Sequence, residues 1–471
     1  MSEEQLMSSG TEARYLQMTQ TPLPRLIGTM AVPTVISMMV TAIYNLADTY
    51  FVSQLGTSAS GAVGIAFSLM AMFQAIGYML GMGAGTTISQ LLGQQKRKEA
   101  EQVAAASFFT ALFLGVILMV VGLIFLDPLV KMLGATPTIF PYARDYTRYI
   151  LVGAPYIIGS FVLNCLLRAQ GSPYFAMVGI TLGGVLNVVL DPIFIFTMGM
   201  GTGGAALATI LSQFVSFLVL YFYSMGRRGN LAVRLRNLCF NGAIYARILR
   251  VGLPSFCRQG LASISVMLLN LSAAPFGDAA ISAMSIVNRV MILLGSALIG
   301  FGQGFQPVCG FNYGAKRYDR VLGSFWFYVK MTMVITVLIG GTVFFIAPQV
   351  VGAFRRDDLE VIAIGTLAIR MQCVMLPFQG WGICCNMMAQ SLAQPFRATI
   401  LATARQGLFF IPFIIALPQV VGVLGLQLAQ PLADFVTALL ALWLGLLTVR
   451  EITALKNQQL DPSQSMVQGR C

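Results

Sequence analysis

The chain has 471 residues, of which 57% are apolar and 10% charged, with a mean hydropathy of +0.79. Those proportions exclude a soluble globular domain and place the chain in a membrane. It contains no histidine, so His-based catalysis and His metal ligands are excluded, and no Ser or Cys nucleophile has a base placed beside it; the chain does not read as an enzyme.

Residues 1–24 are polar, carry Glu3, Glu4 and Glu12 and lack an apolar core. They read as a short mobile cytoplasmic tail, not a signal peptide, and the first span acts as its own insertion signal. Apolar runs of about 20 residues then recur, each long enough to cross about 30 Å of hydrocarbon as a helix. Twelve spans are predicted, centred near Met39, Met72, Val116, Gly159, Val185, Phe214, Ser263, Gly295, Val334, Val374, Phe409 and Leu439. Their apolar stretches are continuous and lack the alternation of a lipid-facing barrel, so the fold class is all-α integral membrane. The longest polar connection, 226–247, divides them into an N-lobe (25–225, helices 1–6) and a C-lobe (248–450, helices 7–12), followed by a cytoplasmic tail (451–471).

The two halves repeat. At a shift of 221 residues Pro33 falls on Pro254, Gly56 on Gly277, Gly81 on Gly302, Gly83 on Gly304 and Gly93 on Gly314; at 222, Pro155 falls on Pro377 and Pro173 on Pro395. An even number of spans in each half makes the repeat parallel, about an axis along the membrane normal. Two such six-helix lobes leave a central cleft that opens to either side in turn when one rocks against the other. Gly81, Gly302 and Pro192 are the expected hinge points, although the glycines equally suit close helix packing. Gly77, Gly81, Gly83 and Gly85 are not a nucleotide loop, because no strand precedes them. No Walker-type Gly-Lys-Ser/Thr occurs, so work must be driven by an ion gradient or a partner.

The net charge of +12 is unevenly spread. With the amino terminus inside, about 20 of the 29 Lys and Arg fall in the even-numbered connections and the tails. Lys131, Arg144, Arg148, Arg355 and Arg356 fall outside. This asymmetry orients both termini to the cytoplasm and assigns the excess charge to topology and anionic membrane lipids, not to nucleic acid. The eight cysteines have no metal-ligand spacing and read as small buried apolar residues.

Three acids fall inside predicted spans, and an ionisable group there is a functional hypothesis by default. They are Asp48, Asp191 and Asp434, and the repeat does not copy them: Asp48 faces Leu269, Asp191 faces Phe413, and the hydroxyl of Thr209 faces Gln430. Asn187 and Asp191 are four apart and share a helix face, while Pro192 removes one backbone N–H and frees a carbonyl one turn back. Together with Asp48 and Thr209 these are hard oxygen donors suited to Na+. The same two carboxylates, desolvated and close, are equally suited to holding a proton. Structural readings exist for both, Asp191 bracing a kinked helix and Asp48 bonding Asn45 or Tyr44. The basic residues in or near spans, Arg258, Arg289, Arg370 and Arg405, are all in the second half. Asp434 therefore reads as a structural or gating ion pair with Arg258 or Arg405. Tyr44, Phe161 and Met284 are candidates for lining a pocket for apolar cations, against ordinary packing.

The segments AVPTVISMMVTAIYNLADTYFVSQLG, LLRAQGSPYFAMVGITLGGVLNVVLDPIFIF and GAALATILSQ resemble the multidrug and toxic compound extrusion (MATE) transporters, most closely the bacterial DinF/MepA-like branch, across residues 25–450. The resemblance implies that Asp48, Asn187, Asp191 and Thr209 form an amino-lobe cation site. It implies no cofactor, and secondary active multidrug efflux in which a small organic, mostly cationic compound leaves as Na+ or H+ enters. It also implies a monomer in the bacterial cytoplasmic (inner) membrane. Another branch places acids on the seventh and tenth helices of the second lobe; here those helices have none. The alternative is a flippase for a lipid-linked precursor, which would need a strongly basic central cavity; a channel suits a hinged two-lobed scaffold less well.

Overall fold

The computed structural model describes residues 3–225, 231–354 and 358–460. Part of the expected linker (226–230), Arg355 and Arg356, and the tail beyond 460 lie outside these residues. Among the described residues there is no strand, and twelve helices are long and apolar enough to cross a membrane. In the first half they are α1 (Leu23–Ser53), α2 (Thr57–Gly93), α3 (Arg97–Ile124), α4 (Phe140–Ala169), α5 (Pro173–Thr197) and α6 (Gly201–Ser224). The second half has α7 (Gly242–Phe276), α8 (Asp278–Gly314), α9 (Tyr318–Phe354), α10 (Leu359–Ser391), α11 (Pro395–Val421) and α12 (Val423–Leu460). All twelve expected centres fall within these helices.

Boundaries differ from expectation at three places. The segment read as a mobile tail is helical over Glu3–Gln20, and Met18 and Thr19 at its end are buried. Helix α7 starts at Gly242, within the expected linker, because the Asn241 side chain caps it by accepting from the Ala243 amide at 3.0 Å. Helix α12 continues to Leu460, past the expected end at 450. The described part of the linker is fixed to the first half: Leu231 and Val233 are buried, and the Leu231 amide donates to Gln170 Oε1 at 2.8 Å.

The duplication is visible in contacts as well as in sequence. In the N-lobe α4 packs on α2, α3 and α6, and α5 packs on α1 and α6; in the C-lobe α10 packs on α8, α9 and α12, and α11 on α7 and α12. Asn164 donates to the Ala176 carbonyl at 3.2 Å, and its counterpart Asn386 to the Ala398 carbonyl at 2.8 Å. Left-handed backbone recurs in register at Gly56 and Gly277, Gln95 and Lys316, and Gly171 and Ala393. Gly56 and Gly277, at φ 109° and 89°, make the tight turns into α2 and α8 that only glycine accommodates without strain.

Helix association in a lipid solvent relies on close packing more than on hydrophobic transfer, so glycines mark where backbones touch. A Cβ at Gly83 would lie 2.0 Å from the Ile248 carbonyl oxygen and 3.0 Å from the Gly252 nitrogen. Its repeat partner Gly304 stands the same way against Ala31, at 2.4 Å from its Cα. Gly93 meets the Phe311 carbonyl and Gly314 the Gln90 carbonyl, each at 2.1 Å. These contacts join the lobes along α1 with α8, α2 with α7 and α2 with α8, on the side of the bundle that carries the chain ends. Polar bonds reinforce that side. Gln90 donates to the Ser391 carbonyl at 2.9 Å, Arg247 donates to Gln90 at 3.0 Å, and Arg168 donates to Gln303. Gln259 reaches Gln74 at 2.6 Å near the middle of both helices.

Helices α1 and α7 cross between the lobes. The first half of α1 (Leu26, Ile27, Met30, Ala31) lies in the core of α8, α9 and α10, whereas Ile248 at the start of α7 lies in the N-lobe core. The helix Glu3–Gln20 also spans both lobes. Arg14 donates to Ser172 at 2.9 Å on one side, and Arg320 donates to the Thr21 carbonyl just beyond the helix at 2.7 Å on the other.

Candidate functional site

Helix α5 can approach two neighbours closely because it has no side chain at two successive positions. A Cβ at Gly184 would lie 3.1 Å from the Tyr44 ring on α1, and one at Gly183 would lie 2.8 Å from Ser216 Cβ on α6. One to two turns further on, the same helix carries Asn187 and Asp191. Pro192 then withholds its N–H from the Val188 carbonyl, and the helix widens into a π turn over Ile193–Thr197. Asp48 in the last turns of α1 and Thr209 in the third turn of α6 converge on this point, toward the side away from the chain ends.

Asp48, Asn187, Asp191 and Thr209 are all buried, Asp191 completely. Asn187 Nδ2 donates to Asp191 Oδ1 at 3.1 Å and to Thr209 Oγ1 at 3.4 Å, and Thr209 in turn donates to the Ala205 carbonyl at 3.0 Å. The two carboxylates are near enough to interact electrostatically. Asp48 Oδ1, Asn187 Oδ1 and Asp191 Oδ2 accept no hydrogen bond, and no Lys or Arg among the described residues pairs with either acid. Three buried acceptors without a donor, two on carboxylates, are costly unless a positive species joins them. Proton or small hard cation, the donor set suits either.

Sequence reasoning missed Tyr146. It reaches the cluster from α4, is 1% exposed, faces Thr209 and both carboxylates, and its hydroxyl has no partner. Its neighbours in sequence, Asp145 and Arg148, give no hint of this; only the fold brings α4 against α6.

Tyr44, Phe161 and Met284, the candidates for lining a substrate pocket, lie in three different surroundings. Tyr44 lies one turn before Asp48, its hydroxyl accepting from Gln213 at 3.4 Å. Phe161 packs on Tyr78 with ring centroids 5.2 Å apart, in a small cluster with Met82 and Cys165. Met284 lines a separate cavity of about 250 Å³ within the C-lobe. Arg405, in a π turn of α11 (Ala404–Leu408), donates to Asp434 Oδ1 at 2.7 Å, and Gln430 donates to the same atom at 3.0 Å. Arg258 lines this cavity too, but makes no ion pair with Asp434. Arg370 lies over the Phe344 ring at 5.4 Å, and Arg289 is exposed. At the expected hinges the structure places close contacts: a Cβ at Gly81 would lie 2.9 Å from Cys165 Sγ, and one at Gly302 2.9 Å from Met387 Cγ, the repeat partner of Cys165.

The family profile MatE matches residues 33–193 and 254–415, corresponding stretches of the two halves. The chain is 27% identical over 445 residues to multidrug export protein MepA of Staphylococcus haemolyticus (strain JCSC1435), covering 94% of this chain and 96% of that protein. Its identity to MepA of Staphylococcus aureus (strain NCTC 8325 / PS 47) is 28%, with the same coverage. A solved outward-facing multidrug resistance MATE family transporter of the MOP superfamily superposes with a TM-score of 0.88 at 29% identity, covering 94% of this chain and 98% of that one. A MOP superfamily transporter from Pyrococcus furiosus Vc1 (DSM3638), whose reversed pocket polarity suggests a different function, superposes with a TM-score of 0.87 at 28% identity, covering 94% and 98%. Twelve spans in two repeated lobes and a profile match to each lobe lead to one assignment: the chain belongs to the MatE family and is a multi-pass membrane transporter, not an enzyme.

Proposed function

We propose that this protein is a secondary active multidrug exporter that moves organic, mostly cationic compounds out of a bacterial cell in exchange for inward Na+ or H+. The observation that carries the proposal is the buried set of unpaired acceptors on Asp48, Asn187 and Asp191. Similarity to multidrug export proteins MepA supports the multidrug export part of the reading. Binding of the driving ion satisfies the acceptors, and its release toward the cytoplasm makes the site costly again. That difference in free energy is what couples the ion to the rocking of the lobes.

The positive charge of the even-numbered connections supports a cytoplasmic (inner) membrane protein with both termini in the cytoplasm. In this orientation the lobes meet on the cytoplasmic side, through Gly83, Gly93, Gly304 and Gly314, and the cation site lies toward the outside. The protein acts as a monomer. The flippase alternative asks for a strongly basic central cavity, and the buried acids of the N-lobe speak against it.

The test is transport of a cationic dye in proteoliposomes with Na+ and pH gradients imposed separately. Uptake driven by one gradient and absent from the Asp191→Asn protein is expected. Full gradient-driven transport by Asp191→Asn removes the cluster from the mechanism, and no response to either gradient overturns the antiport reading.

A further inference from the structure

The C-lobe cavity is bounded by α7, α8, α10, α11 and α12, and three charged residues line it: Arg258, Arg405 and Asp434. Arg405 and Asp434 neutralise each other through their 2.7 Å bond. Arg258 is left over, with no hydrogen bond, ion pair or ring contact to a described residue, so the cavity carries one uncompensated positive charge. A guanidinium held among apolar spans without an anion is costly. The wall also offers polar atoms with nothing to bond: Gln406 Oε1 and Thr437 Oγ1 are buried without partners, and the amides of Gln372 and Gln379 are buried beside them. The rest of the lining is apolar and adaptable, with Met284, Met291 and Phe378.

We propose that this cavity binds an amphipathic organic carboxylate, with Arg258 as the anchor for the carboxylate and the Met and Phe walls receiving its apolar body. A guanidinium presents a planar fork of N–H donors, two of which can bond the two oxygens of a carboxylate in parallel. At about 250 Å³, the space is at the small end for ligand sites, which run from about 300 Å³ upward, and suits a body of one or two rings. The proposal extends the exporter reading, since it adds a carboxylate-bearing class to the cations expected there, but the binding itself requires no gradient and no N-lobe acid.

The experiment is equilibrium binding of 2-naphthoate, followed by its own fluorescence, to the purified full-length protein in detergent, with 2-naphthylmethylammonium as the cationic control. Saturable binding of the carboxylate is expected, with the ammonium at least tenfold weaker. Arg258→Gln should weaken naphthoate at least tenfold, and Arg258→Lys by less, because a point charge replaces the fork. Met284→Trp, which fills the cavity without touching charge, should abolish binding and keeps the test valid if Arg258→Gln fails to fold. Asp191→Asn should leave naphthoate binding unchanged even where it stops transport, so failure of the exporter reading and failure of this one are separable. Equal binding by Arg258→Gln, equal binding of the ammonium, or full competition by chloride at equimolar concentration, which would make the site one for any small anion, each overturns the proposal.

Discussion

The two lobes share a backbone plan and differ in what they enclose. In the N-lobe one large apolar core runs from Val52 through Leu167 to Ile248, beside the small cluster around Tyr78, and the buried acids Asp48 and Asp191 stand with an amide, a hydroxyl and the Tyr146 phenol. In the C-lobe the core is divided, one part around Phe305, Tyr328 and Met387 and the other around Val287, Ile369 and Phe410, with the cavity between them. Position by position the exchange is simple: Asp48 becomes Leu269, Asp191 becomes Phe413 and Thr209 becomes Gln430. Helix crossings and turns survive duplication because glycines and prolines set them, whereas polarity is a matter of a few side chains. One copy can therefore bury a cluster of acids while the other opens a larger space.

The strongest way to break this contrast is Asp191→Asn, which should reduce ion-driven efflux of a cationic dye to background while membrane abundance is unchanged on immunoblots. Placing an acid at the matching C-lobe position, Phe413→Asp in the Asp191→Asn protein, should not restore efflux, because Asn187, Thr209 and Tyr146 have no counterparts around it. Next in size, Gly252→Leu should lower export more than tenfold. A Cβ there would lie 1.8 Å from the Met79 carbonyl oxygen, so spin-label distances between the lobes should lengthen on the side of the chain ends. Arg405→Gln should destabilise the C-lobe by roughly 3 kcal/mol, the usual effect of leaving a buried partner charge alone, read as a lower unfolding temperature. The double variant Arg405→Gln with Asp434→Asn should recover most of that loss. The smallest effect is expected for Tyr146→Phe, which removes a buried hydroxyl that makes no hydrogen bond here, seen as at most a several-fold change in the ion concentration for half-maximal transport.

Hydropathy located all twelve spans, since a helix in lipid must be long and apolar wherever it sits. The four-residue spacing of Asn187 and Asp191 and the proline after them located the centre of the acid cluster. Contacts set by helix crossing left weaker traces. Tyr146 joins the site only because α4 is the central helix of its lobe, and Tyr44, Phe161 and Met284 separate into three environments for the same reason. Arg405, not Arg258, pairs with Asp434, and it does so from a π turn in α11 that composition does not announce. The polarity of Glu3–Gln20 is that of a surface and predicts a tail, yet the segment is helical and its last residues are buried against the lobes.

The crossing of α1 and α7 bears on how the protein is made. During synthesis α1 enters the bilayer long before α8, α9 and α10 exist, so the surface formed by Leu26, Ile27, Met30 and Ala31 must wait, facing lipid, until the second half is inserted. The N-lobe core is likewise unfinished until the linker and Ile248 arrive. Neither half of the polypeptide is a self-sufficient assembly unit, despite the near-perfect repeat of its architecture. Maturation is completed at the junction between them, and a chain interrupted there in biogenesis would leave two bundles each missing the segment that the other was to supply.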